Sequence, residues 1–418
     1  MPRKLLRRVI PDRETVHQRA GLARRWLGED DLWHLGRRSV ARAVSVGCFW
    51  ALLPLPIQTP LALLTAIFFR ANLPVTVVAV WISNPLTMAP LYGTGFLIGA
   101  YLTGTPLVPL DEMTLKIGKA RVLPNEIKKM IVELEGKTSP MSTLRTVVSA
   151  LGHYEKNVPL SDLPPKALRL VGQIATAVAM IDRLRNKLPV IDADPTKGHA
   201  EDFLRMLTGN NPSKTEIQAL DLYLILLADH GFNASTFSAR VTAGTLANLH
   251  SAITSAVGTL SGPLHGGANE KAMEMIIEVG SVEKASAYIE NALNTKQKIM
   301  GFGHRVYKVD DARKLHLKSM ARKLWEEKND MKLFNVSEEI EKQVKDRKNI
   351  ITNVDFYSAP LLYGLNIPTD LFTPLFAMSR VAGWTAHVLE QYRNNRLIRP
   401  RARYVGPIDR TFKPIEQR

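Results

Sequence analysis

Three titratable residues stand beside glycines or in short loops, where a side chain can face a ligand instead of a core. They are His265 in SGPLHGGANE, His304 in GFGHRVYKVDDAR and Asp355 in NVDFYS. Two imidazoles and a carboxylate are groups that move protons near neutral pH, so the chemistry they suit is acid–base work next to a carbonyl.

His265 follows Gly262-Pro263-Leu264 and precedes Gly266-Gly267-Ala268-Asn269, after which Glu270 to Val279 has helical composition. At that helix's N-terminus the positive dipole end disfavours protonation, leaving a neutral imidazole that can donate to a developing enolate oxygen. A structural loop histidine is an equal reading of the same spacing. His304 also precedes a helix, with Arg305, Lys308 and Arg313 close behind. These cations suit an anionic substrate, because neither a full GxGxxG nor a Walker lysine follows Gly301-Phe302-Gly303. A solvated basic loop is the plain alternative. Asp355 lies in an apolar run, where desolvation raises a carboxyl pKa and strengthens it as a base. The ordinary alternative is an aspartate that caps a helix at Tyr357 or Ser358.

The elements that must position these groups read as mostly α. Ser213 and Glu216 form a capping box ahead of the apolar-periodic run Ile217, Leu220, Leu224, Leu227, which stops at His230-Gly231. Asp310 and Asp311 favour a helix start, with Leu315, Met320 and Leu324 as expected core contacts. Strand-like alternation is scarce, and no internal repeat is found. The 418 residues exceed one ordinary core, so two or three domains are expected. Cys48 is the only cysteine, which excludes an intrachain disulfide framework and a Cys-ligated metal cluster.

Charge and hydropathy divide the chain. The net charge of +16 would suit nucleic acid, an anionic membrane face or anionic small substrates. Neither a zinc-finger spacing nor an aromatic-basic RNA motif is present, so no nucleic-acid partner is expected. Residues 1–42 carry eleven Lys/Arg and five Asp/Glu, a basic segment able to form amphipathic helices at a membrane surface. The five acidic residues argue against a mitochondrial transit peptide. Residues 43–110 hold one charge, Arg70, a length well beyond the ~20 apolar residues that cross a bilayer. Residues 43–109 therefore read as a membrane hairpin of two apolar helical segments, interrupted by Pro54, Pro56 and Pro60 and by Asn84-Pro85 and Pro90. The positive-inside rule keeps the N-terminus, and after two segments residues 111–418, in the cytoplasm. The turn LPLPIQTPLA, the step from Arg70 to Pro74 and WISNPLTMAPLY resemble a family of uncharacterised bacterial inner-membrane domains, which implies a location at the bacterial inner membrane.

Residues from about 115 to 410 resemble citrate synthase, through GPLHGGANE, GFGHRVYK, NVDFYS and SRVAGWTAHVLEQ in that order. The resemblance implies a multi-helical homodimer with a large domain (115–266 and 376–410) and a small domain (267–375) that close on oxaloacetate and then bind acetyl-CoA. It implies that Asp355 removes a methyl proton from acetyl-CoA, that His265 stabilises the enol, and that His304 polarises the oxaloacetate carbonyl. Arg313, Arg380 and His230 match substrate-binding residues, Arg399 matches the arginine supplied by the partner subunit, and Lys308 matches a cation near the CoA phosphates. No metal or redox cofactor is implied, acetyl-CoA being a substrate.

Two features depart from the family pattern. Ala312 stands where many members have proline, and the family's N-terminal segment, with its strand-forming start and YRGY-type motif, has no counterpart here. Two other readings stay open: a 2-methylcitrate synthase that takes propionyl-CoA, and a catalytically inactive, membrane-tethered fusion of two unrelated parts, which would be cytoplasmic if the N-terminal part does not belong to the chain.

Overall fold

In a computed structural model, the structure describes residues 32–33, 36–51, 58–81, 116–156, 158–159, 162–303 and 311–417. The chain divides into two compact units, Met1–Val108 and Pro109–Arg418. Helices build both, and among the described residues the only β pairing is an isolated antiparallel bridge between Phe302 and Thr352.

The first unit contains α1 (Arg37–Ala51), α2 (Gln58–Phe68) and α3 (Leu73–Val80). The expectation of two spanning segments is not what its described residues form. The apolar stretch 43–69 is carried by two separate helices, and α1 starts inside the basic segment, at Arg37. No described helix is long and apolar enough to cross a membrane. Pro60 lies in the first turn of α2, where its missing N–H would have no helical partner, and Pro54 and Pro56 lie outside the described residues. Most of the second expected segment, residues 82–109, lies outside the described residues.

The second unit comprises α4 (Asn125–Glu133), α5 (Pro140–Leu151), α6 (Leu163–Arg185), α7 (His199–Thr208), α8 (Lys214–Leu227), α9 (Ala234–Gly244), α10 (Leu249–Leu260), α11 (Ala268–Val279), α12 (Val282–Asn294), α13 (Ala312–Glu327), α14 (Lys332–Lys348), α15 (Val354–Gly364) and α16 (Phe372–Arg393). Helix starts follow local chemistry. The Ser213/Glu216 capping box forms at α8, with Glu216 N–H donating to Ser213 Oγ at 3.2 Å and Ser213 N–H donating to Glu216 Oε2 at 2.8 Å. Asn233, Asn248, Asp311 and Asn353 accept from the first turns of α9, α10, α13 and α15 in the same way.

The core is built on α6 and α16, which pack on each other and bury most of their length. Helices α8, α9 and α10 pack around α16, while α15 packs on α11, α13 and α14. On α13 the buried face is Leu317, Ala321 and Leu324, and Leu315 is 62% exposed. The expected core contact at Leu315 is thus corrected: with the helix starting at Ala312, the i, i+4, i+7 face begins two residues later. Gly383 lets α16 approach the end of α8 closely, since a Cβ there would lie 2.3 Å from the Ala228 carbonyl oxygen.

Candidate active site

Asp355 lies in the first turn of α15. The cap of that helix is Asn353, whose Oδ1 accepts from Asp355 N–H at 3.0 Å, so the carboxylate of Asp355 is not used for capping. Among the described residues no hydrogen-bond donor reaches it. Burial pushes its pKa up to about 6, the charges of Arg313 and Arg380 pull the other way, and Asp311 adds to the rise. The result is a carboxylate that is ionised at neutral pH and still basic.

The segments on either side of Asp355 are clamped by Glu341 of α14. Its carboxylate accepts from Thr352 Oγ1 at 3.3 Å and Tyr357 OH at 2.5 Å, and pairs with Lys314 at 2.6 Å and Lys318 at 2.7 Å. Burial alone would raise its pKa, but the bonds from Lys314, Lys318 and Tyr357 hold it at about 2. Because Lys314 follows Arg313, one half-buried carboxylate ties α13 to both flanks of Asp355.

His265 lies in the loop between α10 and α11, five residues after the last residue of α10. Its Nε2 faces the first turn of α9, where Ser235 N–H donates to it at 3.3 Å and Ser235 Oγ lies 2.8 Å away. A backbone N–H can only donate, so Nε2 carries a lone pair and the hydrogen-bond network assigns the proton of the neutral ring to Nδ1. Trp384 Nε1 donates to Ser235 Oγ at 3.1 Å, and the serine hydroxyl has two acceptors within reach, Asn233 Oδ1 at 2.8 Å and His265 Nε2 at 2.8 Å. Burial pushes the pKa of His265 down to about 4, and the charge of Arg380 adds to that. The expected neutral imidazole is present, although the helix N-terminus bonded to it is that of α9, not α11.

Arg380 of α16 is only 2% exposed. Its Nε donates to the Leu227 carbonyl at the end of α8 at 2.7 Å, and its guanidinium lies 4.8 Å from the Phe376 ring centroid. Burial pushes its pKa down to about 10, so it remains charged at neutral pH. Arg313 forms a two-pronged contact with Asp311, Nε to Oδ1 at 3.0 Å and Nη2 to Oδ2 at 2.7 Å. Burial would raise the pKa of Asp311, but the bonds and charge of Arg313 and the charge of His230 hold it below the usual range. His230 itself sits in the turn after α8, half-buried, next to Gly231 at φ +55°. His387 Nε2 meets Asp229 at 3.1 Å and so braces this turn against α16.

The structure thus brings His230, His265, Arg313, Asp355 and Arg380 into one electrostatic cluster. Arg399 is exposed on the C-terminal arm that follows α16. His304 and Lys308 lie outside the described residues. The loop that leads to His304 is anchored as far as Gly303, whose N–H donates to the Ile351 carbonyl at 2.8 Å and whose carbonyl accepts from Asn353 Nδ2 at 2.9 Å. Sequence reading missed Ser235, Trp384, Glu341 and Tyr223. Tyr223 is a fully buried residue whose hydroxyl has no hydrogen-bond partner and which senses the charges of Asp355 and Arg380.

A half-buried carboxylate with no hydrogen-bond donor among the described residues, a neutral imidazole and a set of guanidinium groups can together enolise a carbonyl compound beside an anionic second substrate, which is the equipment of a carbon–carbon condensing enzyme. The model of the citrate synthase C-terminal domain matches residues 101–401, and that of an uncharacterized protein conserved in bacteria matches residues 22–150. Citrate synthase 2 of Bacillus subtilis is 46% identical over 314 residues, covering 74% of this chain and 84% of that protein. The 2-methylcitrate synthase of Shewanella oneidensis is 40% identical over 304 residues, covering 72% and 81%. The ternary complex of carboxymethyl coenzyme A and oxaloacetate with citrate synthase from Thermoplasma acidophilum superposes with a TM-score of 0.69 at 31% identity, covering 75% of this chain and 85% of that one. The chain belongs to the citrate synthase family.

Proposed function

We propose that this chain condenses acetyl-CoA with oxaloacetate and hydrolyses the resulting citryl thioester to citrate and CoA. The observation that carries this reading is the combination of an Asp355 carboxylate that, among the described residues, has no hydrogen-bond donor and has its pKa raised to about 6, with a neutral His265 whose Nε2 is held by Ser235. Asp355 takes a proton from the methyl carbon, while His265 donates to the thioester oxygen as charge builds on it. The enol carbon attacks the ketone carbon of oxaloacetate, and His304 donates to the ketone oxygen. Water then attacks the thioester carbonyl and CoA leaves as the thiol. Arg313, Arg380 and His230 bind the oxaloacetate carboxylates and carbonyl, and Lys308 meets the CoA phosphates. Citrate synthases use no cofactor beyond the acetyl-CoA substrate.

In this reading, residues 115–266 and 376–410 form the large domain and residues 267–375 the small one, closing over the substrates. The chain works as a homodimer in which Arg399, exposed on the C-terminal arm, serves the partner's site. Residues 43–109 hold it at the bacterial inner membrane with the catalytic region on the cytoplasmic side, a placement supported by their single charge in 67 residues. The similarity to 2-methylcitrate synthase favours propionyl-CoA as a second acyl donor.

The test is release of free thiol from acetyl-CoA and from propionyl-CoA in the presence of oxaloacetate. One methylene is worth ~1 to 3 kcal/mol, so kcat/KM is expected to be about ten- to two-hundred-fold higher for the true donor. Folded protein that releases no thiol from either would contradict the proposal.

A further inference from the structure

The unit made of α1 to α3 is packed the wrong way round for water. Where its helices meet, small side chains predominate: Ala43, Gly47 and Ala51 of α1, Ala62 and Ala66 of α2, and Ala79 of α3 are buried, together with the larger Leu32, Leu73 and Val80. Gly47 faces Ala79 so closely that a Cβ on it would lie 2.4 Å from the alanine methyl. The large apolar side chains point outward, with Phe49, Leu64, Phe68 and Trp81 exposed by 59, 65, 80 and 67%. Water-soluble proteins seldom expose large apolar side chains at this density, whereas small residues where helices meet and large ones outside are the pattern of association in lipid.

The polar groups agree with that reading, because they are satisfied within the unit. Asn72 is buried and its Oδ1 accepts from Val75 N–H at 3.0 Å, Thr76 Oγ1 donates to the Asn72 carbonyl at 2.9 Å, and Trp50 Nε1 donates to Thr65 Oγ1 at 3.1 Å. Internal satisfaction of this kind is obligatory away from water. Along α1 to α3 the charged residues are Arg37, Arg38, Arg42 and Arg70, all four exposed, and the acidic residues of the unit, the last of them Asp31, precede α1. At 15, 11 and 8 residues the helices reach about 22, 16 and 12 Å, short of the ~30 Å hydrocarbon core.

We propose that α1 to α3 embed in the headgroup–acyl boundary of a bilayer that carries anionic phospholipid, with Phe49, Leu64, Phe68 and Trp81 in the acyl layer and the arginines on the phosphates. This rests on the membrane attachment proposed above and deepens it by naming the surface that enters and the headgroup charge it selects.

The single native cysteine makes a direct test available. In the full chain carrying Cys48→Ser and Phe68→Cys, an environment-sensitive fluorophore is attached at position 68, with Leu315→Cys in the same background as an aqueous control. Flotation with vesicles of phosphatidylcholine, alone or with phosphatidylglycerol, reports binding. The expected result is a blue shift at position 68 and not at 315, with partitioning about tenfold or more higher into the anionic vesicles and reduced by Arg37→Gln/Arg38→Gln. A chain that floats while position 68 keeps its aqueous emission would overturn the lipid-facing surface and leave membrane attachment standing. Equal partitioning into both vesicles would overturn the anionic preference, and no flotation with either would overturn attachment as well.

Discussion

Ser235 meets His265 Nε2 twice, through its backbone N–H at 3.3 Å and through its hydroxyl at 2.8 Å. The serine is in turn held by Trp384 Nε1 at 3.1 Å. The start of α9 therefore sets the ring's orientation, and the backbone N–H at Nε2 favours the tautomer with its proton on Nδ1, which has no acceptor among the described residues.

Ser235→Ala keeps the backbone donor and removes the hydroxyl, leaving the buried Trp384 N–H without its partner. Losing one hydrogen bond to the neutral ring is worth ~1 to 2 kcal/mol, so kcat for thiol release should fall about five- to thirtyfold while the KM for oxaloacetate changes little. A parallel rise in KM would instead indicate a general loss of structure.

The pKa of Asp355 sets an acid limb. The base works only when ionised, so kcat/KM should fall as pH drops through about 6 in the free enzyme. The same group costs stability. Its folded pKa lies above the ordinary 3.8, so the fold binds the proton more tightly than the unfolded chain does, and stability from this group increases as pH falls from above 6 towards 3.8. Asp355→Asn should accordingly stabilise the protein above pH 7 by about 1 to 2 kcal/mol while destroying activity. Chemical denaturation at pH 8 checks this, and an unchanged or lower midpoint would count against it.

Glu341 is the clamp on both flanks of Asp355. Glu341→Gln removes the half-buried carboxylate that Lys314 and Lys318 share, Lys318 keeping Glu338 at 3.1 Å, and is expected to cost about 2 kcal/mol of stability. If the clamp positions the base, the folded variant should also lose kcat about tenfold or more. Steady-state kinetics at a temperature where the variant is fully folded separates the two effects.

His250 is 3% exposed, with neither ring nitrogen hydrogen-bonded, and burial pushes its pKa down to about 4. The unfolded chain takes up a proton here near pH 6.5 that the fold refuses until about 4, so stability is lost as pH falls across that window. His250→Leu should flatten the stability–pH slope between pH 6.5 and 4 by about one proton, as read from denaturant midpoints. An unchanged slope would mean that the imidazole is hydrated.

Much of the site was legible because its residues announce themselves locally. His265 and Asp355 stand in loops or at helix starts, and Ser213 with Glu216 is a contact within one turn. What escaped is long-range. Trp384 and Ser235 are 149 residues apart, and nothing in GWTAH or NASTF says that one indole braces the other's hydroxyl. Glu341 lies in a charged helix, lysine- and glutamate-rich, where a half-buried carboxylate looks like its solvated neighbours. The helix end acting on His265 was assigned to α11 because that is the next helix in sequence, whereas packing delivers α9. The apolar stretch suggested two spans by length alone, and the helices formed by its described residues are short.

The measurement closest to the central claim is the initial rate of thiol release from acetyl-CoA and oxaloacetate by the full chain and by Asp355→Asn, with oxaloacetate binding followed separately by calorimetry. The account predicts that the wild-type chain releases CoA and citrate in equal amounts, and that the variant binds oxaloacetate but releases thiol about a thousandfold more slowly or not at all. A variant that turns over at the wild-type rate would contradict it.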